Sequence, residues 1–171
     1  MIVRRTLLVA LLGITGIALQ TSLFGELTLT GTKPELLLLL ALALAIEDGP
    51  ALGASAGFTF GLLTDAFLEQ PAGVSALTFT LACYGVGRIR AQLQAPSAWM
   101  PTIMISATTL VVVLAFAMFL ALLGEPLGPP VRVLRHAVLA AAYNALLTPL
   151  LFPLVRALVA RSRPHATEVM R

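Results

Sequence analysis

An all-α membrane protein, a six-transmembrane-helix bundle, is the fold class this sequence predicts, and three observations predict it. Hydrophobic residues make up 58% of the chain and charged residues 11%, against roughly 45–50% and 25% in soluble globular domains; a water-facing surface does not accommodate that excess. The apolar residues fall into six runs, about 6–24, 34–46, 50–68, 72–86, 101–123 and 137–159, separated by short turns rich in Gly, Pro and charge. A span needs roughly 20 apolar residues to cross ~30 Å of hydrocarbon. Six spans therefore take up most of the 171 residues, so that 1–171 reads as a single integral membrane domain with a short basic tail at 160–171.

The first run follows Arg4-Arg5. It is longer than the core of a cleavable signal peptide and shows no clear small-x-small cleavage site. Five further hydrophobic segments argue against a twin-arginine export signal, and the run is expected to be an uncleaved first span. The second run is short. From 35 to 46 a helix rises roughly 18 Å, so two geometries are open, a span in thinned bilayer or a re-entrant segment. Charge favours the span. With six crossings and a cytoplasmic N-terminus, Arg4, Arg5, Arg88, Arg90, Arg156, Arg161, Arg163 and Arg171 lie inside and Lys33, Arg132 and Arg135 outside, eight against three. Without the second crossing the split becomes four inside against seven outside. The positive-inside rule predicts six spans with both termini cytoplasmic, and Glu47 and Asp48 on a cytoplasmic turn weigh little in it.

Between the first two spans, Thr28, Thr30 and Thr32 alternate with Leu27, Leu29 and Gly31, which predicts a short extended or turn segment before Pro34 opens the second helix. Trp99, near Pro101 at the cytoplasmic start of the fifth span, is expected to anchor in the headgroup region. Pro149 and Pro153 interrupt the sixth run and predict a kinked helix. Asn144, deep in the same run, is costly in hydrocarbon unless its amide bonds to another helix, and an interhelical hydrogen bond is expected of it rather than ligand contact. For the tail Arg161-Ser162-Arg163-Pro164-His165, contact with anionic lipid and simple solvation both stay open.

The third run carries most information. Gly49, Gly53, Gly57, Gly61, Asp65 and Glu69 recur at strict four-residue intervals. Each step of four advances the helix by about 40° beyond a full turn, so the row winds as an inclined groove that lets a neighbouring backbone approach. Packing within one chain and docking of a separate protein's helix are both compatible with it. Asp65 differs in kind, because intramembrane acids face the bundle interior or an aqueous cavity and pair or function there. Gln20, with Thr21 and Ser22, falls on the same outward side as Glu35, Asp65 and Glu69. That polar cluster around Gln20, Glu35 and Asp65 can be a helix junction, a partner-docking surface or a small-molecule pocket.

Chemistry finds little footing. Asp65 has no second carboxylate on another span, as an intramembrane aspartyl protease needs; Glu35, Glu47, Asp48 and Glu69 all sit at span ends. His136 has no Cys or His cluster around it, so no metal site is expected. Neither a phosphate-binding glycine loop nor a serine nucleophile elbow is present. The lone Cys83 cannot form an internal disulfide and reads as packing. The net charge of +3 belongs to span ends and points to no nucleic-acid partner. No catalytic residue, cofactor or metal is predicted.

Taken in order, Gln20 ending the first span, Pro34-Glu35 opening a leucine-rich second, Gly53, Gly57-Phe58, Gly61-Leu62-Leu63, Asp65, Gly73 and Ala76-Leu77 resemble the rod shape-determining protein MreD family over residues 20–84. The family pattern more often has Asp where Glu35 stands and Asn where Ser75 stands. From Ile89 onward only hydrophobicity and Asn144 remain, so the positions transferred are Gln20, Glu35, Gly57, Gly61 and Asp65. The resemblance implies a non-catalytic scaffold of the bacterial cell-elongation machinery in the inner (plasma) membrane. It would dock MreC directly, reach MreB and a RodA/penicillin-binding-protein synthase complex indirectly, and help regulate peptidoglycan synthesis and cell shape. The family is also similar in fold to the substrate-binding subunits of energy-coupling-factor transporters, which supplies an alternative, a vitamin-binding subunit. Those subunits carry a small-xxx-small pair early in the first span, where here Ala10 is followed by Ile14 and Gly13 by Ile17.

Overall fold

Leu and Ala, with one Ile, fill residues 36–46, and a helix apolar on every side has no polar face to turn toward water. In the computed structural model this segment is α2 (Leu36–Asp48), and every residue from Leu36 to Ile46 is buried. It forms the axis of the molecule. Around it pack α1 (Ile2–Ser22), α3 (Pro50–Phe67), α4 (Val74–Gln92), α5 (Met100–Leu122) and α6 (Pro130–Ser162). The structure describes residues 2–22, 34–67, 73–93, 97–124 and 128–162, and all regular elements among them are helices. The threonine-alternating stretch at 25–33, Glu69 and the tail from Arg163 onward lie outside the described residues.

The first four helices alternate in direction. Gly16 of α1 lies against Leu37 and Leu40, while Gln20 reaches the N-terminus of α2. Gly53 of α3 meets Ala45 near the C-terminus of α2, and Gly61 of α3 meets Ala76 at the start of α4. Ser106 of α5 donates to the carbonyl of Ala141 on α6 at 3.2 Å. α2 and α6 run parallel in one register: Asn144 bonds to Glu35 at one end of α2, and Arg156 pairs with Glu47 at 3.9 Å at the other. That ion pair is held by a largely exposed arginine and contributes little to stability.

The sixth helix begins at Pro130, before its apolar run, and continues past both Pro149 and Pro153 to Ser162. α4 likewise continues past its apolar run across Arg88 and Arg90 to Gln92. Helical ends outlast hydrophobicity because an extra polar turn keeps backbone N–H and C=O groups paired, and Pro130 suits the first helical position, where its missing N–H is not needed.

The outside is apolar and the inside partly polar. Leu11, Ile14, Phe58, Leu81, Ile103, Val111, Leu146 and Leu150 are exposed, while Gln20, Thr64, Asp65, Ser75, Thr78, Thr109, Asn144 and Thr148 are buried. Apolar surface on this scale marks contact with membrane or protein. Two helices, Met100–Leu122 and Pro130–Arg161, are long and apolar enough to cross a membrane by length and composition, and Val9–Gln20 is a shorter apolar helix. α2 is shorter than a full span, and the α3 and α4 stretches are diluted by Gly, Ser and Thr.

Candidate functional site

The turn between α3 and α4 brings a carboxylate onto a helix start. The first N–H groups of any α-helix lack intrahelical acceptors. At α4 Asp65, from the preceding helix, supplies them: Oδ2 accepts from Gly73 N–H at 2.8 Å and from Ala76 N–H at 3.3 Å, and Oδ1 accepts from Ser75 N–H at 3.1 Å. Gly73 makes this possible, since its φ of 94° lies in the left-handed region that favours a residue without Cβ. The side chain is 5% exposed. An anion there is stabilised both by charge-assisted hydrogen bonds and by the positive end of the α4 dipole.

A second junction lies at the start of α2. Glu35 holds the capping position, yet its own side chain makes no cap bond. Gln20 of α1 does so instead, its Oε1 accepting from Leu37 N–H at 3.4 Å. The Glu35 carbonyl accepts from Leu39 N–H at 2.9 Å and from Asn144 Nδ2 at 3.4 Å. Asn144, with no exposed surface, also donates to Thr109 Oγ1 of α5 at 3.0 Å. One amide thus joins α2, α5 and α6, while its Oδ1 has no hydrogen-bond partner. The cluster expected around Gln20, Glu35 and Asp65 is therefore two adjacent junctions at the same end of the bundle. Each addresses a different helix start, and among the described residues no hydrogen bond joins Asp65 to Gln20 or Glu35.

The glycine row is a contact surface inside the chain. A Cβ on Gly53 would stand 2.5 Å from Ala45 Cβ, one on Gly57 2.6 Å from the Phe79 carbonyl oxygen, and one on Gly61 2.5 Å from both Ala76 Cα and the Ser75 oxygen. Three of the four glycines thus seat α3 on α4 and α2. Gly49 stands apart from the ridge, ending α2 with φ 87° and with open space around it.

Several contributors were not foreseen in the sequence. Gly87 brings α4 against Pro50, and Gly13 and Gly16 bring α1 against Phe60, Leu63, Leu37 and Leu40. The glycine pair in α1 is the available signal, although it is spaced by three rather than four. Thr109 carries a weaker one, a hydroxyl within an apolar run that also bonds its own helix at Ile105 O, 2.8 Å away. No group of three His, Cys, Asp or Glu among the described residues is placed to hold a metal ion. Every hydrogen bond named in the two junctions ends on a helix start or on a neighbouring helix, so what they do chemically is fix where helices begin and how they cross.

No curated protein and no solved structure matches the chain. The family model for the rod shape-determining protein MreD matches residues 2–161, nearly the whole length, and the chain belongs to that family, whose role is in rod-shape determination.

Proposed function

We propose that the protein is a non-catalytic membrane scaffold of the bacterial cell-elongation machinery. It crosses the inner membrane six times with both termini cytoplasmic. It docks MreC directly, and through MreC it reaches MreB and the RodA/penicillin-binding-protein synthase, helping to regulate peptidoglycan synthesis and cell shape. The carrying observation is the use of Asp65. The most conspicuous intramembrane acid gives both oxygens to backbone N–H groups at the start of α4, a positioning task that takes up three of the roughly four acceptor sites of a carboxylate. Because Gly53, Gly57 and Gly61 face α4 and α2, the partner contact falls on the outer apolar faces of the bundle rather than on the glycine ridge. Affinity-tagged protein expressed with full-length MreC is expected to retain it through purification in mild detergent. Loss of MreC together with a retained vitamin-like molecule, detected by mass spectrometry, would overturn the scaffold in favour of a transporter substrate-binding subunit.

Six crossings are supported by the alternating directions of α1 to α4 and the parallel run of α6 with α2, the apolar outer surface and the eight-to-three division of basic residues. α2 crosses as an inner helix shielded from lipid by its neighbours. Single cysteines from Arg88→Cys and Arg161→Cys are expected to react with an impermeant maleimide only from the cytoplasmic side, over a low background because Cys83 has no exposed surface. Labelling of the two positions from opposite sides would refute the threading.

A further inference from the structure

Two charges on α6 stand one bilayer apart. Arg135, near its start, and Arg156, near its end, are both exposed, and the helix rises about 32 Å from one to the other, against ~30 Å of hydrocarbon in a membrane. No Asp, Glu, Lys or Arg stands between them. Arg135 therefore falls at one edge of the hydrocarbon, the outer edge in the proposed threading, and Arg132 lies about 4.5 Å further out. Helical side chains lean toward the N-terminus, which is outward here. Arg132 does so, with Cδ and Nη1 each 3.5 Å from the place a Cβ on Gly128 would take. Both arginines are exposed, and residues three apart are neighbours on a helix surface. The first turn of α6 carries no acidic residue, and among the described residues neither arginine has an ion pair. These are also two of the three basic residues that the threading leaves outside, against the general bias of basic charge toward the cytoplasm.

We propose that the outer end of α6 binds one anionic phospholipid, phosphatidylglycerol, with its phosphate on Arg132 and Arg135 and an acyl chain along Val138, Ala142 and Leu146. The proposal rests on the membrane placement above and adds a ligand to it. Residues of a helix turn by about 100° each, so Val138, Ala142 and Leu146 form a row that stays within about 60° of Arg135. All three are exposed, and the small Ala142 between two branched side chains leaves a shallow trough. From Arg135 to Leu146 the helix rises about 16 Å, half of the hydrocarbon and so the depth of one leaflet. Charge selects the headgroup. A guanidinium fork matches two phosphate oxygens, and a pair of unpartnered arginines repels any further cation. Phosphatidylcholine brings an ammonium to the same place, whereas phosphatidylglycerol brings a net negative charge and hydroxyl groups.

A single tryptophan beside the arginines tests this in the full chain. The sequence holds one Trp, so Val138→Trp in a Trp99→Phe background puts the sole probe at an exposed position about 4.5 Å below Arg135. The protein is reconstituted into phosphatidylcholine vesicles, and quenching is followed as acyl-brominated phosphatidylglycerol or acyl-brominated phosphatidylcholine replaces part of the unbrominated lipid. Relative association at the probe is expected to be about tenfold stronger for phosphatidylglycerol, and equal for the two lipids once Arg132→Gln and Arg135→Gln are combined. Arg88→Gln with Arg161→Gln removes the same charge at the other end of the bundle and is expected to keep the preference. Equal association before any arginine is changed would overturn the site and leave the membrane placement intact. A preference that survives the loss of Arg132 and Arg135, or that vanishes with Arg88 and Arg161, would overturn it as well, by assigning the selectivity to charge elsewhere. Absence of quenching by either lipid would overturn site and placement together. If the Val138→Trp protein is not monodisperse with wild-type helical circular dichroism, Leu146→Trp, 75% exposed before substitution, reports on the same row.

Discussion

Gly61→Leu is expected to leave no folded protein. A Cβ at this position would lie 2.5 Å from Ala76 Cα and 2.7 Å from Ala76 N, and both are backbone atoms that cannot rotate aside. The two helices must then separate, which also pulls Gly73, Ser75 and Ala76 away from Asp65. Overpacking a tight core by a methylene or so costs about 1–3 kcal/mol. A leucine at this crossing adds far more volume than that, against a total stability of roughly 5–15 kcal/mol in typical proteins. Even Gly61→Ala should cost about 2 kcal/mol or more. Gly85→Ala is the internal control: it lies inside α4 with nothing within 4 Å of the new Cβ, and replacing helical Gly by Ala gains up to about 1 kcal/mol. Size-exclusion profiles and melting curves in one detergent compare the three. A Gly61→Leu variant that is monodisperse and melts with wild type would refute the close α3–α4 crossing.

What could be read in the sequence was set by which interactions leave a pattern. Glycines four apart announce a close helix crossing, and Gly53, Gly57 and Gly61 make one, but spacing does not say which helix comes near. Nor does spacing know where a helix stops. Gly49 continues the arithmetic series, yet it precedes Pro50, a helix-start residue, and turns the chain out of α2 with φ 87°. The all-round apolarity of 36–46 was visible as a helix. Its place at the centre was not, because in lipid a core helix and a lipid-facing one have the same composition, and only the neighbours distinguish them. Asp65 announced itself as an acid needing a partner. Its partners are main-chain N–H groups of Gly73, Ser75 and Ala76, which every non-proline residue possesses, so no side-chain pattern could name them. Asn144 was legible as an interhelical bond because an amide in an apolar run demands one. Thr109 was not, since threonines satisfy themselves on their own helices as often as they bond across.

Removing the Asp65 carboxylate should give the second large loss, and a series of substitutions separates charge from shape. In Asp65→Ala three N–H groups at the start of α4 lose their acceptor in a site that is 5% exposed. With each unsatisfied buried donor costing about 1–3 kcal/mol, partly relieved by rearrangement, a loss of about 4 kcal/mol is expected, or roughly 10 °C in melting temperature for a chain of this size. Asp65→Asn keeps the shape and one oxygen. That oxygen can serve Gly73 and Ala76 or it can serve Ser75, and the amide NH₂ then faces a donor on the other side. With the anion–dipole attraction also gone, about 2 kcal/mol is expected. Glu35→Gln supplies the contrast at the neighbouring junction, because the Glu35 side chain makes no cap bond and its carbonyl, which Asn144 uses, is untouched; a change within about 0.5 kcal/mol is expected. The predicted order of melting temperatures is therefore Asp65→Ala below Asp65→Asn below Glu35→Gln, the last near wild type. If Asp65→Asn melted with wild type, the negative charge would have no part in holding α4. If Asp65→Ala did so as well, the α3–α4 turn would stand without its carboxylate, and Asp65 would have to be explained by an occupant or partner instead.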